Sequence, residues 1–313
     1  MVSQTGYQFL IDQGYEVTME VDSSEENLIH IIGEYDGLLA RNARYPRAVI
    51  EAGKKLKVIG RHGTGVDNVD VKAAQELGIW VVNAPTANIN AVAEQTIAFM
   101  MALCCEVVQC DRMTRQGDWI FRDGISKRRS ELAGKTLALV GLGRIGALVA
   151  QKASLGLGMR VIAYDPYARS CPPNVELCGD LPQLLAQADY LSLHTPATAE
   201  TCGMMNRETF AQMKPTAFFI DCARGELYEE QALCEALRTH QIAGAAIDVY
   251  HEEPPTAENP LFSLDNVIVS QHNAAHSIES VDQMAYDAAV GIHQILTGQT
   301  PDFPVNHPEN PRI

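Results

Sequence analysis

Leu137-Ala138-Leu139-Val140-Gly141-Leu142-Gly143-Arg144-Ile145-Gly146 leads into an alanine-rich segment, Ala147 to Leu157, and then into Arg160-Val161-Ile162-Ala163-Tyr164-Asp165. The first four residues are a short apolar run of the kind that makes a buried parallel strand. A G-x-G-x-x-G turn, a helix and a second strand follow, ending on an acid nineteen residues past the last glycine. Gly141 permits the tight turn, Gly143 lets the backbone approach a pyrophosphate, and Gly146 lets the helix pack closely on the sheet. The diphosphate then meets free N–H groups and the positive dipole end of the helix. Asp165 can accept hydrogen bonds from both hydroxyls of an adenosine ribose, and its charge repels a 2′-phosphate. NAD is therefore favoured over NADP, with Arg169 close enough to pull the other way. Three glycines in six residues often mark only a turn; the flanking strand, helix and acid make this one a dinucleotide site.

A chain of 313 residues exceeds the usual single core and predicts about two domains. Hydrophobic residues at 46% and charged residues at 20% are ordinary for a soluble globular protein. The net charge of −15 argues against nucleic acid or an anionic membrane surface as a partner. Eight cysteines form no C-x-x-C pair and sit mostly in apolar runs, which predicts reduced, buried thiols and a cytoplasmic protein. Met1-Val2-Ser3-Gln4-Thr5 lacks the charged-then-apolar layout of a signal peptide. The most apolar helix, Ala91 to Cys110, contains Glu94, Gln95, Glu106 and Gln109, too polar to span a bilayer.

Residues 1–88 alternate strand candidates (Leu38–Ala40, Lys57–Gly60, Ile79–Val82) with helices near Pro46–Gly53 and Asp70–Leu77, implying a parallel sheet covered by helices. The chain opens on helix-like sequence around Gly6–Gln13, so an edge strand is expected to be absent or encoded upstream. A long helix, Ala91 to about Gln116, is apolar nearly all round and is expected between layers or against a second copy of the chain. The polar stretch Gly117 to Glu131, with Lys127-Arg128-Arg129, reads either as a solvated loop or as a dimer arm. Further strands at Tyr190–Leu193, Ala217–Ile220, Ala243–Ile247 and Val267–Ser270 complete a six-stranded doubly wound sheet. A last helix, Ser277 to Leu296, returns to the first domain, and a proline-rich tail is expected to run extended along the surface. The domains are thus 1–88, completed by 277–313, and a dinucleotide-binding 89–276, with hinges near 88–90 and 273–277.

Ligands of doubly wound sheets lie outside the carboxyl ends of the strands. Those ends carry His194-Thr195-Pro196, Asp221-Cys222-Ala223-Arg224-Gly225, Asp248-Val249-Tyr250-His251-Glu252-Glu253-Pro254-Pro255 and Gln271-His272-Asn273-Ala274-Ala275-His276. A guanidinium, a carboxylate and an imidazole at one edge suit hydride transfer between NAD and a 2-hydroxy or 2-oxo acid. Arginine clamps a carboxylate or carbonyl, and imidazole takes the hydroxyl proton as hydride leaves. A carboxylate beside that imidazole favours its protonated form and fixes its tautomer. His272 and His276, four apart, have a zinc-like spacing, but Asn273 stands in place of a metalloprotease glutamate and no third ligand is evident, so no metal is expected. His194 reads as structural or cofactor-lining, and Glu252 is the alternative to Glu253. No nucleophile-elbow pattern points to hydrolysis.

The chain resembles the D-2-hydroxyacid dehydrogenase family, most closely the catalytic part of its phosphoglycerate dehydrogenases. The likeness covers nearly the whole length through Gly60-Arg61-His62-Gly63-Thr64-Gly65-Val66-Asp67-Asn68-Val69-Asp70, the glycine turn, His194-Thr195-Pro196, Cys222-Ala223-Arg224-Gly225, and Ala246-Ile247-Asp248-Val249-Tyr250 running into Glu252-Glu253-Pro254-Pro255. The resemblance implies an α/β fold with a doubly wound parallel sheet (a Rossmann NAD domain) inserted in a smaller flavodoxin-like α/β substrate domain. It implies Arg224, Glu253 and His272 as the catalytic residues. Beside Gly141, Gly143 and Gly146, it implies Thr64, Arg144, Ile145, Asp165, Thr195, Pro196, Thr201, Cys222, Ala223, Asp248 and Ala275 as contacts to NAD. Substrate would be held by Arg41, Arg61, the loop Gly63-Thr64-Gly65, and Asn88. Two arginines in an acidic protein suggest a dianion such as 3-phosphoglycerate. Glyoxylate or hydroxypyruvate, another 2-hydroxy acid, and a low-turnover NAD-binding sensor stay as alternatives. Gln271 stands where the family usually has proline, Glu226 and Tyr228 depart from its pattern, and the family's regulatory extension is expected to be absent. A homodimer is expected.

Overall fold

The computed structural model describes residues 2–125, 129–168 and 170–312; Lys127, Arg128 and Arg169 lie outside the described residues. The chain divides into two compact units, Met1–Ile89 with Ala275–Ile313, and Asn90–Ala274.

In the first unit, strands β1 (Gly37–Ala40), β2 (Val58–Arg61) and β3 (Trp80–Val82) form a parallel sheet in that order. Successive strand residues point to opposite faces. Val58 and Val82 therefore pack with Leu10, Ala289 and Ile292, while Ile59 and Val81 pack with Val49, Ile50, Ala73 and Ala74. Helices Gln4–Asp12 and Ile278–Leu296 cover the first face, and Glu25–Ile31, Arg47–Ala52 and Val71–Glu76 serve the second. The first two cross at backbone distance, because a Cβ on Gly6 would lie 2.6 Å from the Ala285 carbonyl oxygen. Ser3, Asp70 and Ser277 cap their helices with side-chain oxygens, each satisfying an amide that the helix itself leaves open.

The proline-rich tail departs from the expected surface course. Pro304 bridges antiparallel to Val82, and buried Asn306 donates to the Ile79 carbonyl (2.9 Å) and accepts from the Val81 N–H (2.7 Å). The physical reason is that β3 is an edge strand, whose outward backbone groups need partners once covered. An asparagine supplies both a donor and an acceptor.

The second unit holds β4 (Thr136–Val140), β5 (Arg160–Tyr164), β6 (Val175–Leu177), β7 (Tyr190–Leu193), β8 (Phe218–Asp221), β9 (Gly244–Ile247) and β10 (Val267–Val269). All pair in parallel, in the order β10-β9-β8-β7-β4-β5-β6. This is the doubly wound dinucleotide-binding order with its switch point between β4 and β7. The sheet has seven strands rather than the expected six. The extra one, β6, is a half-polar Val-Glu-Leu at the exposed edge and has no apolar run to betray it. Phe219 packs edge-on against Phe210 and Tyr228 in the core, each ring worth roughly 1.5–3 kcal/mol of burial.

The single helix expected from Ala91 to Gln116 is two, Ile89–Cys104 and Val107–Arg115, meeting at 58°. The break falls at Glu106, in the left-handed region (φ 50°), where neither glycine nor proline announces it. Burial follows one stripe, Val92, Thr96, Phe99, Met100 and Leu103, so the helix is not apolar all round in use. No single helix among the described residues is long and apolar enough to cross a membrane.

Candidate active site

At the switch point the glycine turn has the shape its sequence dictates. Gly141 adopts φ 92°, and a Cβ on Gly146 would collide with the Gly141 carbonyl. Gly143, at the N-cap of helix Arg144–Gln151, faces open space: nothing lies within 4 Å of where a Cβ would stand. Bare backbone at a helix N-terminus fits a pyrophosphate. Arg144 is exposed and Ile145 half-buried on the first turn beside it. Asp165, one residue past β5, accepts from the Leu142 N–H through Oδ2 (2.8 Å) and from the Tyr167 N–H through Oδ1 (2.9 Å). Its carboxylate is thereby fixed at the edge of the turn with lone pairs to spare for two ribose hydroxyls.

The far wall of the groove is the end of β7. The His194 backbone crowds Gly141, and its ring Nε2 lies 3.0 Å from Ser192 Oγ. Burial pushes that imidazole down to about 4, so it is neutral near pH 7. Thr195 and Pro196 follow, and the Thr201 hydroxyl donates to the Pro196 carbonyl (2.7 Å) while accepting from the Thr198 N–H (2.8 Å). Thr201 thus shapes the loop from within.

The candidate acid–base set is assembled from the ends of β8, β9 and β10. A Cβ on Gly225 would strike the Tyr250 backbone, so the turn carrying Arg224 abuts the 250–253 loop. Arg224 donates from Nη1 to the Ala223 carbonyl (2.6 Å). Glu253, whose bond to Pro254 is cis, accepts from the Tyr250 N–H through Oε1 (3.0 Å), and its Oε2 lies 2.7 Å from His272 Nδ1. Burial alone would push the Glu253 carboxyl up, but the bonds from His272 and Tyr250 and the charges of His272 and Arg224 outweigh it and hold its pKa below the usual value. An ionised Glu253 takes the proton on Nδ1 as its hydrogen bond, which leaves His272 Nε2 to accept or give one. The pair is reachable, with the two side chains 45% and 36% exposed.

His272 holds a left-handed backbone (φ 50°), a conformation that costs a non-glycine residue about 1–3 kcal/mol unless its surroundings over-determine it. They do. The His272 N–H donates to the Asp248 carbonyl (2.7 Å), and the buried Asp248 carboxylate accepts from the N–H groups of Asn273 (3.0 Å) and Ala274 (2.9 Å) and from the Ser270 hydroxyl. The backbone of the histidine is therefore held by Asp248. Asp221 plays a similar part for Arg224: fully buried, it accepts from the Ala223 N–H (2.7 Å), and burial pushes its carboxyl well above the usual range. Sequence reasoning missed Asp221 and the turn-holding part of Asp248. The available signal was an acid closing each of two apolar strands. Cys222 is buried between Asp221 and Ala223.

The remaining candidates belong to the first unit. Arg41 follows β1 and Arg61 ends β2, at the same edge of the sheet. Asn68 ties them: its Oδ1 accepts from Arg61 Nε (2.9 Å) and its Nδ2 donates to the Arg41 and Ala43 carbonyls (2.8 and 2.7 Å). Gly63 (φ 148°) lies against the Arg61 guanidinium, where a Cβ would stand 2.9 Å from Nη1. The Thr64 hydroxyl donates to Asn88 Oδ1 (2.8 Å), joining Asn88 to the loop that includes Gly65. His62 is buried behind the loop with Nε2 3.1 Å from the Val281 carbonyl; burial, helped by the charges of Arg41 and Arg61, pushes it down to about 4. Ala275 also falls in this unit.

A glycine turn at a switch point, with a guanidinium, a carboxylate and an imidazole around the neighbouring strand ends, is the layout of a dinucleotide-binding domain. Residues 97–274 match the family model of the D-isomer specific 2-hydroxyacid dehydrogenases, NAD binding domain, and the chain belongs to that family. By this match its cofactor is NAD. The chain is 41% identical over 309 residues to a D-3-phosphoglycerate dehydrogenase of Methanocaldococcus jannaschii, covering 97% of this chain and 58% of that one. It thus spans little more than half the length of such relatives. Among solved structures it is similar to a protein of Thermus thermophilus (34% identity, TM-score 0.88, 98% of each chain). It also resembles a D-lactate dehydrogenase with NAD+ from Lactobacillus jensenii (29% identity, TM-score 0.80, 98% of each chain).

Proposed function

We propose that this chain catalyses NAD-dependent interconversion of a D-2-hydroxy acid and its 2-oxo acid, with 3-phosphoglycerate and 3-phosphohydroxypyruvate as the substrate pair. The observation that carries the chemistry is the 2.7 Å contact between Glu253 and His272 beside the Arg224 turn. Bound NAD supplies the hydride acceptor, held by the glycine turn, Asp165 and the groove residues named above. His272 takes the hydroxyl proton at Nε2, Glu253 stabilises the imidazolium that results, and Arg224 steadies the carbonyl oxygen as charge gathers there. General acid–base help of this kind is worth on the order of 10²–10⁴ in rate.

Substrate identity is assigned to the first unit. Arg41 and Arg61 at one sheet edge offer two cations for a phosphate, the loop 63–65 and Asn88 hold the carboxylate, and the Methanocaldococcus jannaschii relative carries the phosphoglycerate name. Arg41→Ala should raise KM for a phosphorylated substrate about 10- to 100-fold, the worth of one charge-assisted contact, and leave KM for hydroxypyruvate nearly unchanged. Equal loss on both would remove phosphate recognition and favour a hydroxypyruvate or glyoxylate reductase. Binding of NADH without reduction of any 2-oxo acid in a panel would favour a sensor. The reading includes a cytoplasmic homodimer: all eight cysteines are free thiols, and Trp119 and Ile120, 68% and 80% exposed, offer an apolar face to a second copy. Sedimentation of Trp119→Ser against the parent tests the dimer.

A further inference from the structure

A cluster of nucleophilic side chains lies apart from the proposed chemistry, at the break between the two helices of the second unit. Cys104 and Cys105 are adjacent in sequence, and their sulfurs stand 3.6 Å apart. Arg129 Nη2 donates to Cys105 Sγ (3.4 Å), and the Ser130 N–H donates to the Cys104 carbonyl (3.3 Å). Cys104 is buried and Cys105 partly open. Buried Tyr190 lies near both thiols, and its phenolic oxygen completes no hydrogen bond of full geometry among the described residues.

The arrangement distinguishes the two sulfurs. Burial, reinforced by the neighbouring Cys105, pushes the Cys104 thiol up to about 12. Cys104 therefore keeps its proton, and its Sγ donates to the Met101 carbonyl (3.5 Å), while the sulfur–sulfur contact can be donated from either atom. The Arg129 guanidinium, a charged donor, is aimed at Cys105 alone of the two.

We propose that Cys105 and Cys104 form a redox-reactive thiol pair that consumes hydroperoxides and closes reversibly. The Cys105 thiolate attacks the distal peroxide oxygen and the O–O bond breaks. The alkoxide or hydroxide takes a proton and leaves as alcohol or water, and Cys105 becomes a sulfenic acid. The Cys104 sulfur then displaces the sulfenic oxygen as water, joining the two sulfurs. In sum, two thiols and one hydroperoxide give a disulfide, one alcohol or water, and one further water. Adjacent residues keep their Cα atoms about 3.8 Å apart, closer than relaxed disulfides allow, so the bond is easily reduced again by a thiol.

The test uses the full chain with hydrogen peroxide as the probe, followed by iodoacetamide and peptide mapping. The peptide holding residues 104 and 105 should lose two hydrogens and regain them with dithiothreitol. Cys104→Ser should leave Cys105 without its partner and drive it to the sulfinic acid, and Arg129→Leu should slow Cys105 oxidation about threefold or more. Cys202, exposed and outside the cluster, is the internal control. Exposure alone predicts that it reacts first, whereas the Arg129 donor and the adjacent thiol predict that Cys105 does. Prior reaction of Cys202, a bond mapped elsewhere, or a Cys105→Ser variant in which Cys104 still oxidises would overturn the proposal. The order of reaction is measured on the parent protein, so it stands even where a variant fails to fold.

Discussion

Replacing Glu253 by glutamine keeps the shape of the side chain and removes its charge, and the geometry allows no orientation that satisfies both neighbours. Oε1 now accepts from the Tyr250 N–H and Oε2 from His272 Nδ1–H. If the amide oxygen of glutamine faces Tyr250, its NH2 faces Nδ1, which must then give up its proton and place it on Nε2. If the oxygen faces His272, two donors confront each other at Tyr250. The first outcome blocks the atom that must accept the substrate proton; the second loses a hydrogen bond and unseats the loop. A charge-assisted hydrogen bond is worth about 1.5–3 kcal/mol, and the lower half applies to a contact this exposed, or roughly 10- to 50-fold in rate. Misplacing the base proton adds to this, so kcat for hydroxy-acid oxidation should fall on the order of 10²-fold. Following NADH absorbance at saturating substrate, with NADH affinity measured by fluorescence, separates the terms. Affinity should hold within twofold, because Glu253 lies outside the dinucleotide groove. A kcat within threefold of the parent would show that Glu253 does not govern the imidazole, and a parallel loss of NADH binding would show that it acts through the groove.

Asp165→Ser removes the charge that opposes a 2′-phosphate; the NAD-to-NADP ratio of kcat/KM should fall about 10- to 100-fold, and a ratio within twofold of the parent would refute the assignment. Asp248→Asn places an NH2 against the amide of Asn273 or Ala274 and should cost about 1–3 kcal/mol in urea unfolding together with a loss in kcat. If kcat is unchanged at that stability cost, the turn does not depend on Asp248. His62 titrates near 4 folded and near 6.5 unfolded, so between those values the unfolded chain binds more protons. The first unit is then fully stabilised above pH 6.5 and weakens as the pH falls towards 4, by up to ~3 kcal/mol at ~1.36 kcal/mol per pH unit. Trp80 fluorescence during urea unfolding should show that slope in the parent and a flatter one in His62→Gln; identical slopes would dismiss His62 as its source.

Much of the fold was legible because the buried strands announce themselves. Leu137–Val140 is apolar on both faces, and Tyr190–Leu193 departs from that only at Ser192, as a sheet covered on both sides demands. Where burial lapses, so does the signal. Strand β6 is half-polar, Glu106 breaks a helix without glycine or proline, and Asn306 fills an edge from 225 positions beyond Val81, a pairing no local pattern encodes. In the candidate site, Arg224, Glu253 and His272 could be named from strand ends and family likeness. What holds them could not. Asp248 acts on amides of the next strand's turn, across a register relation that exists only once strands pair, and Asp221, acting two residues ahead, is fixed by its burial in the assembled sheet.

Strand β10 is three residues long, lies at the border of the sheet and is only half-buried, a poor mount for the proposed base, which has to meet a proton within a fraction of an ångström. Asp248 shifts the mooring inland: the imidazole hangs on the rim, but its main chain is anchored to the interior strand beside it. Fraying of the rim need not carry the base along. Drift in the sequence of Val267–Val269 should accordingly be far better tolerated than any change at the single acid to which the turn is tied.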